Sequence, residues 1–188
     1  HAHLAACMLE HDLPVDSEVL GIVFDGTGYG PDGTIWGGEF LRGGYAKVER
    51  VAHLKALPLP GGDAAIRHPR RCAFSFLYDA LGEKCRSQNL PLLREEPPSL
   101  LDNLQQMLKR SINSPLSSGA GRLFDAVAAI LNLPSTRQQI DYEGEAAIAL
   151  EQTAKRASPS WIKTDEASAF PFDFDNQILN FAPTIRAI

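Results

Sequence analysis

Val19–Phe40, VLGIVFDGTGYGPDGTIWGGEF, is the stretch whose reading decides the fold. Val19 to Phe24 is apolar or glycine throughout and suits a buried strand. The pattern stops at Asp25, and Gly26, Thr27, Gly28, Tyr29 and Gly30 follow. Pro31-Asp32-Gly33 reads as a turn, after which Thr34 to Phe40 resumes as a second strand. Two strands joined this closely pair antiparallel. Glycines in the link tolerate positive φ and let backbone N–H groups converge on an anion. A carboxylate at a strand end beside such a loop, here Asp25, suits a metal ion bridging phosphates. By itself the pattern also fits a long hairpin with a loose loop.

Outward from this stretch, Gly43-Gly44 turns the chain into a third strand over 46–54, where Val48 and Arg50 alternate imperfectly with Glu49 and Val51. The result is a three-stranded antiparallel meander, near 19–25, 34–41 and 46–54, with an open sheet edge that favours self-association. Upstream, His1 to His11 reads as a helix with Leu4, Cys7, Met8 and His11 on one face. Downstream, Pro58, Pro60, Gly61 and Gly62 end the β region and the apolar period becomes helical. Asp63 caps a first helix, Pro69 restarts it, and Cys72 to Leu81 supplies an apolar face. Gln88 to Pro98 is polar and proline-rich and reads as a loop. Ser99 caps a helix over 100–111, and Pro115 to Gly119 breaks it. Gly121 to Leu133 is helical, with Leu123, Phe124, Val127, Ile130 and Leu131 as its core stripe, and Asp141 to Ala157 is the last helix. The aromatic stretch 158–188 is mixed, with Ile162 and Phe174 placed in short strands. One incomplete domain is expected over 1–188: helix and meander to about 60, a helical part over about 63–157, and the mixed tail.

Composition bounds the function classes. A chain of 188 residues with 44% hydrophobic residues fits one soluble domain. Its formal net charge of −5 lacks the basic stripe of a general nucleic-acid binder. No apolar run reaches the length, about 18 residues, that spans a bilayer. Cys7, Cys72 and Cys85 are odd in number and lack C-x-x-C spacing, so reduced thiols and a cytoplasmic location are expected. The chain opens on His1 without a signal peptide, which reads as a natural start removed.

Three constellations carry candidate chemistry. His1 and His3 invite a metal, but residues two apart on a helix point to different faces, whereas ligands want spacings of three or four. Ser117 to Asp125 places small residues at a helix start, where exposed N–H groups and the positive dipole end suit phosphate or ribose hydroxyls. Asp125 is expected on the first turn, beside a core-facing Phe124, facing a cleft. Tyr142-Glu143-Gly144-Glu145 is a polar helix start whose carboxylates also fit plain capping.

Taken together and in order, HAHLAACMLEH, VFDGTGYGPDGTIWGGEF, LPLPGGDAAIRHPRR, SGAGRLFDAVAAILNL and DYEGEAAIALE closely resemble the C-terminal region of the HypF-type carbamoyltransferases of nickel–iron hydrogenase maturation. The resemblance covers nearly the whole chain and extends, more distantly, to tRNA threonylcarbamoyl transferases and antibiotic O-carbamoyltransferases. It implies an α+β fragment of an actin-like, ribonuclease-H-like α/β nucleotide-binding domain. It implies ATP and carbamoyl phosphate as sources of carbamoyl-adenylate, made by an upstream domain. The domain represented here then passes the carbamoyl group to the C-terminal cysteine of a HypE-type acceptor protein. Mapped residue by residue, His3 and Asp25 are divalent-metal ligands. Gly26, Thr27, Gly28, Gly119, Gly121, Asp125, Glu143 and Gly144 lie on the nucleotide side, with Asp125 on the ribose. No catalytic residue is assigned, and neither a nucleic-acid nor a membrane partner is implied.

Departures from the family pattern go with these expectations. The first metal-binding His would lie two residues before His1, and an SGGVFQN-like strand with an Asp-Gly-Gly loop would follow Ile188. The resemblance therefore implies an internal slice cut inside the metal motif, holding a metal weakly if at all. Two competing readings remain at this point: a small-molecule O-carbamoyltransferase, and a non-catalytic module that docks a maturation partner.

Overall fold

The computed structural model describes residues 1–157 and 170–188. The meander forms as read: β1 (Val19–Tyr29) pairs antiparallel with β2 (Ile35–Gly43), which pairs antiparallel with β3 (Val48–Leu54). The imperfect alternation in β3 has a cause. The register shifts at Phe40/Leu41, leaving Val51 unmatched between Arg50 and Ala52, a bulge. Short strands complete a seven-stranded mixed sheet. β4 (Leu57–Pro58) and β5 (Leu116–Ser117) join β2, while β6 (Asp173–Asp175) and β7 (Ile178–Asn180) join β3. Phe174 thus lies in a strand as expected, whereas Ile162 lies outside the described residues.

α1 (Ala2–Glu10) lies across the meander, burying Leu4 and Met8 against Leu41. It comes this close because Gly21 has no side chain: a Cβ there would stand 2.4 Å from Leu4 Cδ1. Only one face of β1 is covered in this way. Leu20, Ile22 and Phe24 are 64%, 62% and 57% exposed, so the strand is buried on one side rather than both. β1 is also hydrogen-bonded along one edge only among the described residues.

The helices pack on the other end of the sheet. α2 (Asp63–Arg67) and α3 (Pro69–Leu81) follow the prolines, but Gly62 rather than Asp63 is the cap. The stretch read as a loop contains α4 (Pro91–Glu95): Pro91 suits a first helical turn, and Leu92 and Leu93 bury beneath it. α5 (Pro98–Arg110) starts ahead of Ser99, which is inside the helix. In α6 (Ala120–Ile130) the expected stripe holds at Leu123, Val127 and Ile130, which pack on the main core, and fails at Phe124 and Leu131. The buried face of the helix is Ala120, Arg122, Asp125, Ala126, Ala128, Ala129 and Ile130, while Phe124 and Leu131 are exposed. Small alanines let α6 close against α3, where Ala126, Ala129 and Phe74 share the main core. α7 (Glu145–Arg156) begins four residues later than Asp141, because Gly144 takes the left-handed conformation (φ 80°) as its cap. α8 (Ala182–Ala187), unmarked in the sequence reading, seats Ile185 in the core.

A buried polar cluster ties these layers together. Glu39, 3% exposed, accepts hydrogen bonds from the Gly37 and Gly38 amides at 3.1 and 3.3 Å, from Arg50 Nε at 2.5 Å and from the Ser118 hydroxyl. Arg50 continues to Asp32 at 3.1 Å and lies 4.3 Å from the centre of the Trp36 ring. Burial pushes the Asp32 carboxyl up, but hydrogen bonds from Thr34 and Trp36 and the Arg50 charge outweigh it and hold it at about 2.

Two outcomes follow. Glu39→Gln keeps the shape but removes the charge that neutralises Arg50, and should lower stability by about 2–3 kcal/mol in urea unfolding. An open edge with an apolar face should make the chain self-associate, and Ile22→Lys should reduce this. Sedimentation velocity at rising concentration checks it, a strictly monomeric wild type being the contrary result.

Candidate functional site

Asp25 sits where β1 leaves its register with β2, between Phe24 and Gly28. Freed from the ladder, its Oδ1 accepts the Gly26 amide at 2.6 Å and the Thr27 amide at 3.4 Å. Its Oδ2 faces His3 Nε2 at 3.1 Å, brought there by the seating of α1 on Gly21. His1 turns away and bonds the Gly44 carbonyl at 2.9 Å. The pair opens on a cleft of about 320 Å³ whose walls include Trp36, Gly37 and Glu39. An imidazole nitrogen and a carboxylate oxygen that converge in a cleft are a donor pair suited to a divalent ion. Binding one requires the His3 tautomer with Nε2 unprotonated. Among the described residues no third His, Cys, Asp or Glu joins them closely enough to enclose an ion.

One residue on, the backbone changes partners. The Asp25–Gly26 link is pressed between β2 and the start of α6, and the glycines that face it, Gly37, Gly119 and Gly121, have no room for a side chain. A Cβ on Gly37 would stand 2.5 Å from the Asp25 carbonyl oxygen, one on Gly119 2.6 Å from the Gly26 carbonyl oxygen, and one on Gly121 2.8 Å from Gly26 Cα. These glycines therefore hold backbone against backbone, rather than leaving the open N–H cradle expected of the helix start. The Gly119 amide is already bonded to Ser117 Oγ at 3.1 Å.

Behind this contact lies a charged group that the sequence reading caught only in part. Asp125 stands on the second turn of α6, not the first, and is 1% exposed rather than facing an open cleft. Its Oδ2 lies 3.0 Å from Arg122 Nη2, three residues earlier on the same helix. Glu143 Oε1 and Arg122 Nη2 lie 3.3 and 3.5 Å from the point where a Cβ of Gly26 would sit. Burial pushes the Asp125 carboxyl up to about 6; the Arg122 charge pulls against this and the Glu143 charge adds to it. Cys72, in the α3 face beneath, is inert: burial pushes its thiol up to about 12, with Asp125 adding to the rise.

Gly26, Gly119, Gly121, Asp125 and Glu143 are thus brought together, and His3 and Asp25 form a second group joined to them through the Asp25–Gly26 peptide. Gly28 lies outside this meeting point, paired with Trp36 in the hairpin, and Gly144 serves as the α7 cap. Thr27 is exposed beside Asp25. Arg122 and the Glu39–Arg50 pair were missed. The signals were present: an Arg three residues before Asp125 on a helix, and a carboxylate following two strand glycines.

Comparison with known proteins follows from this geometry. Residues 21–188 match the family described as "Carbamoyltransferase, Kae1-like Domain, second subdomain". The chain belongs to the HypF carbamoyltransferase family. It is 50% identical over 160 residues to the carbamoyltransferase HypF of Rhodobacter capsulatus, a match covering 85% of this chain and 21% of that protein. It is 39% identical over 164 residues to the HypF of Synechocystis sp., covering 80% and 21%. The chain thus spans about a fifth of the length of these relatives. The fold superposes on a crystal structure of full-length HypF in a phosphate- and nucleotide-bound form with a TM-score of 0.81 and 35% identity. That match covers 100% of this chain and 27% of that one. Against T. kodakarensis HypF the TM-score is 0.78 at 32% identity, covering 99% and 24%. No helix of the described residues is long and apolar enough to cross a membrane.

The raised Asp125 carboxyl predicts a pH signature. The folded state holds this proton more tightly than the unfolded chain, so the contribution is full below pH 4 and is lost as pH rises through about 6. Asp125→Asn removes this ionisation. The melting temperature of the Asn variant relative to wild type should therefore rise between pH 4 and pH 7. Parallel thermal melts across that range check it.

Proposed function

We propose that this chain supplies the metal and nucleotide sides of a site that moves a carbamoyl group from carbamoyl-adenylate to the C-terminal cysteine of a HypE-type acceptor protein. The observation that carries the reading is the single peptide between Asp25 and Gly26. The His3–Asp25 pair lies on one side of it, and the group of Gly121, Asp125 and Glu143 on the other. A ligand spanning that peptide would place its nucleotide against α6 and its reactive carbonyl at the cleft of His3 and Asp25. The acceptor thiolate attacks the carbamoyl carbon, forming the C–S bond. The C–O bond to the phosphate breaks, and AMP leaves with the electron pair, giving a thiocarbamate. His3 and Asp25 would hold a divalent ion, which when bound polarises the carbamoyl or phosphate oxygens. On the nucleotide side, Asp125 accepts the ribose hydroxyls, and the Gly26 and Thr27 backbone lies along the phosphate. ATP and carbamoyl phosphate are the sources of the adenylate, which this chain receives rather than makes.

The test uses the intact parent protein. Asp125→Asn keeps size and hydrogen-bonding reach but loses the charge, and should weaken AMP binding by about 1.5–3 kcal/mol, roughly ten- to a hundredfold. Calorimetric titration reads the affinity. Transfer of labelled carbamoyl to a peptide ending in cysteine, and not to a sugar hydroxyl, reads the acceptor class. Unchanged AMP affinity in the Asn variant would remove Asp125 from the site, and transfer to the sugar alone would replace the acceptor.

A further inference from the structure

The Arg122–Asp125 pair is an odd structural ion pair. Arg122 is 3% exposed and Asp125 1%, yet only one contact joins them, at 3.0 Å between Nη2 and Oδ2. Its alignment falls short of a hydrogen bond. Among the described residues, Arg122 Nε and Nη1 and Asp125 Oδ2 are all buried without a hydrogen-bond partner. Buried polar atoms are nearly always satisfied, and each one left unmet is costly. Three fall together here, next to Gly26 and Glu143. A pair selected only to hold α6 in place would be better served by aligned partners or by apolar side chains.

We infer that Arg122 is the positioning residue of the nucleotide side: it aims Asp125 at the Gly26 link, and the nucleotide supplies the hydrogen-bond partner that Asp125 Oδ2 lacks. This rests on the nucleotide reading of Asp125 given above. Arg122 acts through Asp125. Its charge keeps the carboxyl ionised against burial and against Glu143, the state in which Asp125 accepts hydroxyl hydrogens. The groups facing Asp125 are Arg122 from its own helix, Glu143 from the segment ahead of α7, and Cys72 from α3. Entry of the nucleotide shifts the pair, since Asp125 has almost no exposed surface while it is closed.

The experiment is a double-mutant cycle on the intact parent protein, with AMP as the probe. Arg122→Met and Asp125→Asn should each weaken AMP about tenfold or more. The double variant should be no weaker than Asp125→Asn alone by more than about twofold, because Arg122 has nothing left to position. Arg122→Lys, which keeps charge but not the guanidinium geometry, should recover part of the loss. It also serves as the readable variant where Arg122→Met fails to fold. In the Met variant the AMP affinity should recover toward high pH more than in wild type, a shift that a structural role would not produce. The inference is overturned if the two losses multiply, or if Arg122→Met or Arg122→Lys lowers the melting temperature while AMP affinity is unchanged. Unchanged affinity in Asp125→Asn would instead sink the nucleotide reading itself, so the two failures are distinguishable.

Discussion

Glu39 is the constraint on which the arrangement depends. Its carboxylate is buried, and it reaches β2 through two glycine amides, β3 through Arg50 and the approach to α6 through Ser118. A buried carboxylate is tolerable only with this density of partners, and its partners lie on three separate stretches. The same requirement fixes the hairpin tip, since Arg50 also bonds Asp32, and Asp32 accepts the Trp36 indole N–H at 3.0 Å. Ser118 brings Gly119 and Gly121 against Gly26, so the α6 start is located by a hydrogen bond to a buried carboxylate of β2. The geometry at Asp25 follows from this hub: the strand can leave its register there because the strand beside it is held independently.

The meander was legible because glycine and proline punctuate it and its apolar runs are short. The site was legible in part, and the failures have physical causes. Periodicity places apolar residues inward, so α6 was given Phe124 and Leu131 as core. The helix instead turns its alanines, with Arg122 and Asp125, toward α3 and the link. Close approach of backbones outweighed the burial of large side chains, and no hydrophobic pattern encodes that choice. Gly119 and Gly121 were read as an open anion cradle because small residues signal both an open N–H array and tight packing; only the position of Gly26 separates the two. Glu39 and Arg50 belong to different strands, so the two glycines before Glu39 could mark the carboxylate but not its partner. Asp25 was marked by its place at a strand end beside the glycine loop and His3 only by the family resemblance, and the structure brings their side chains together.

The two halves of the site differ in how they are built. His3 and Asp25 are partly exposed, held by a helix resting on one small cluster, and free to adjust to a ligand. The Arg122–Asp125 group is enclosed by the main core and borders α3.

The glycine contact has a consequence for what substitutions this chain can absorb. Gly37, Gly119 and Gly121 each face the main chain of the Asp25–Gly26 link, and a methyl group at any one meets atoms that cannot rotate aside. No compensating change elsewhere can make the space, because the obstructing group is itself main chain, present whatever the residue. Mutational tolerance should therefore drop to nearly nothing at positions scattered over about 85 residues of sequence but only a few ångströms apart in space.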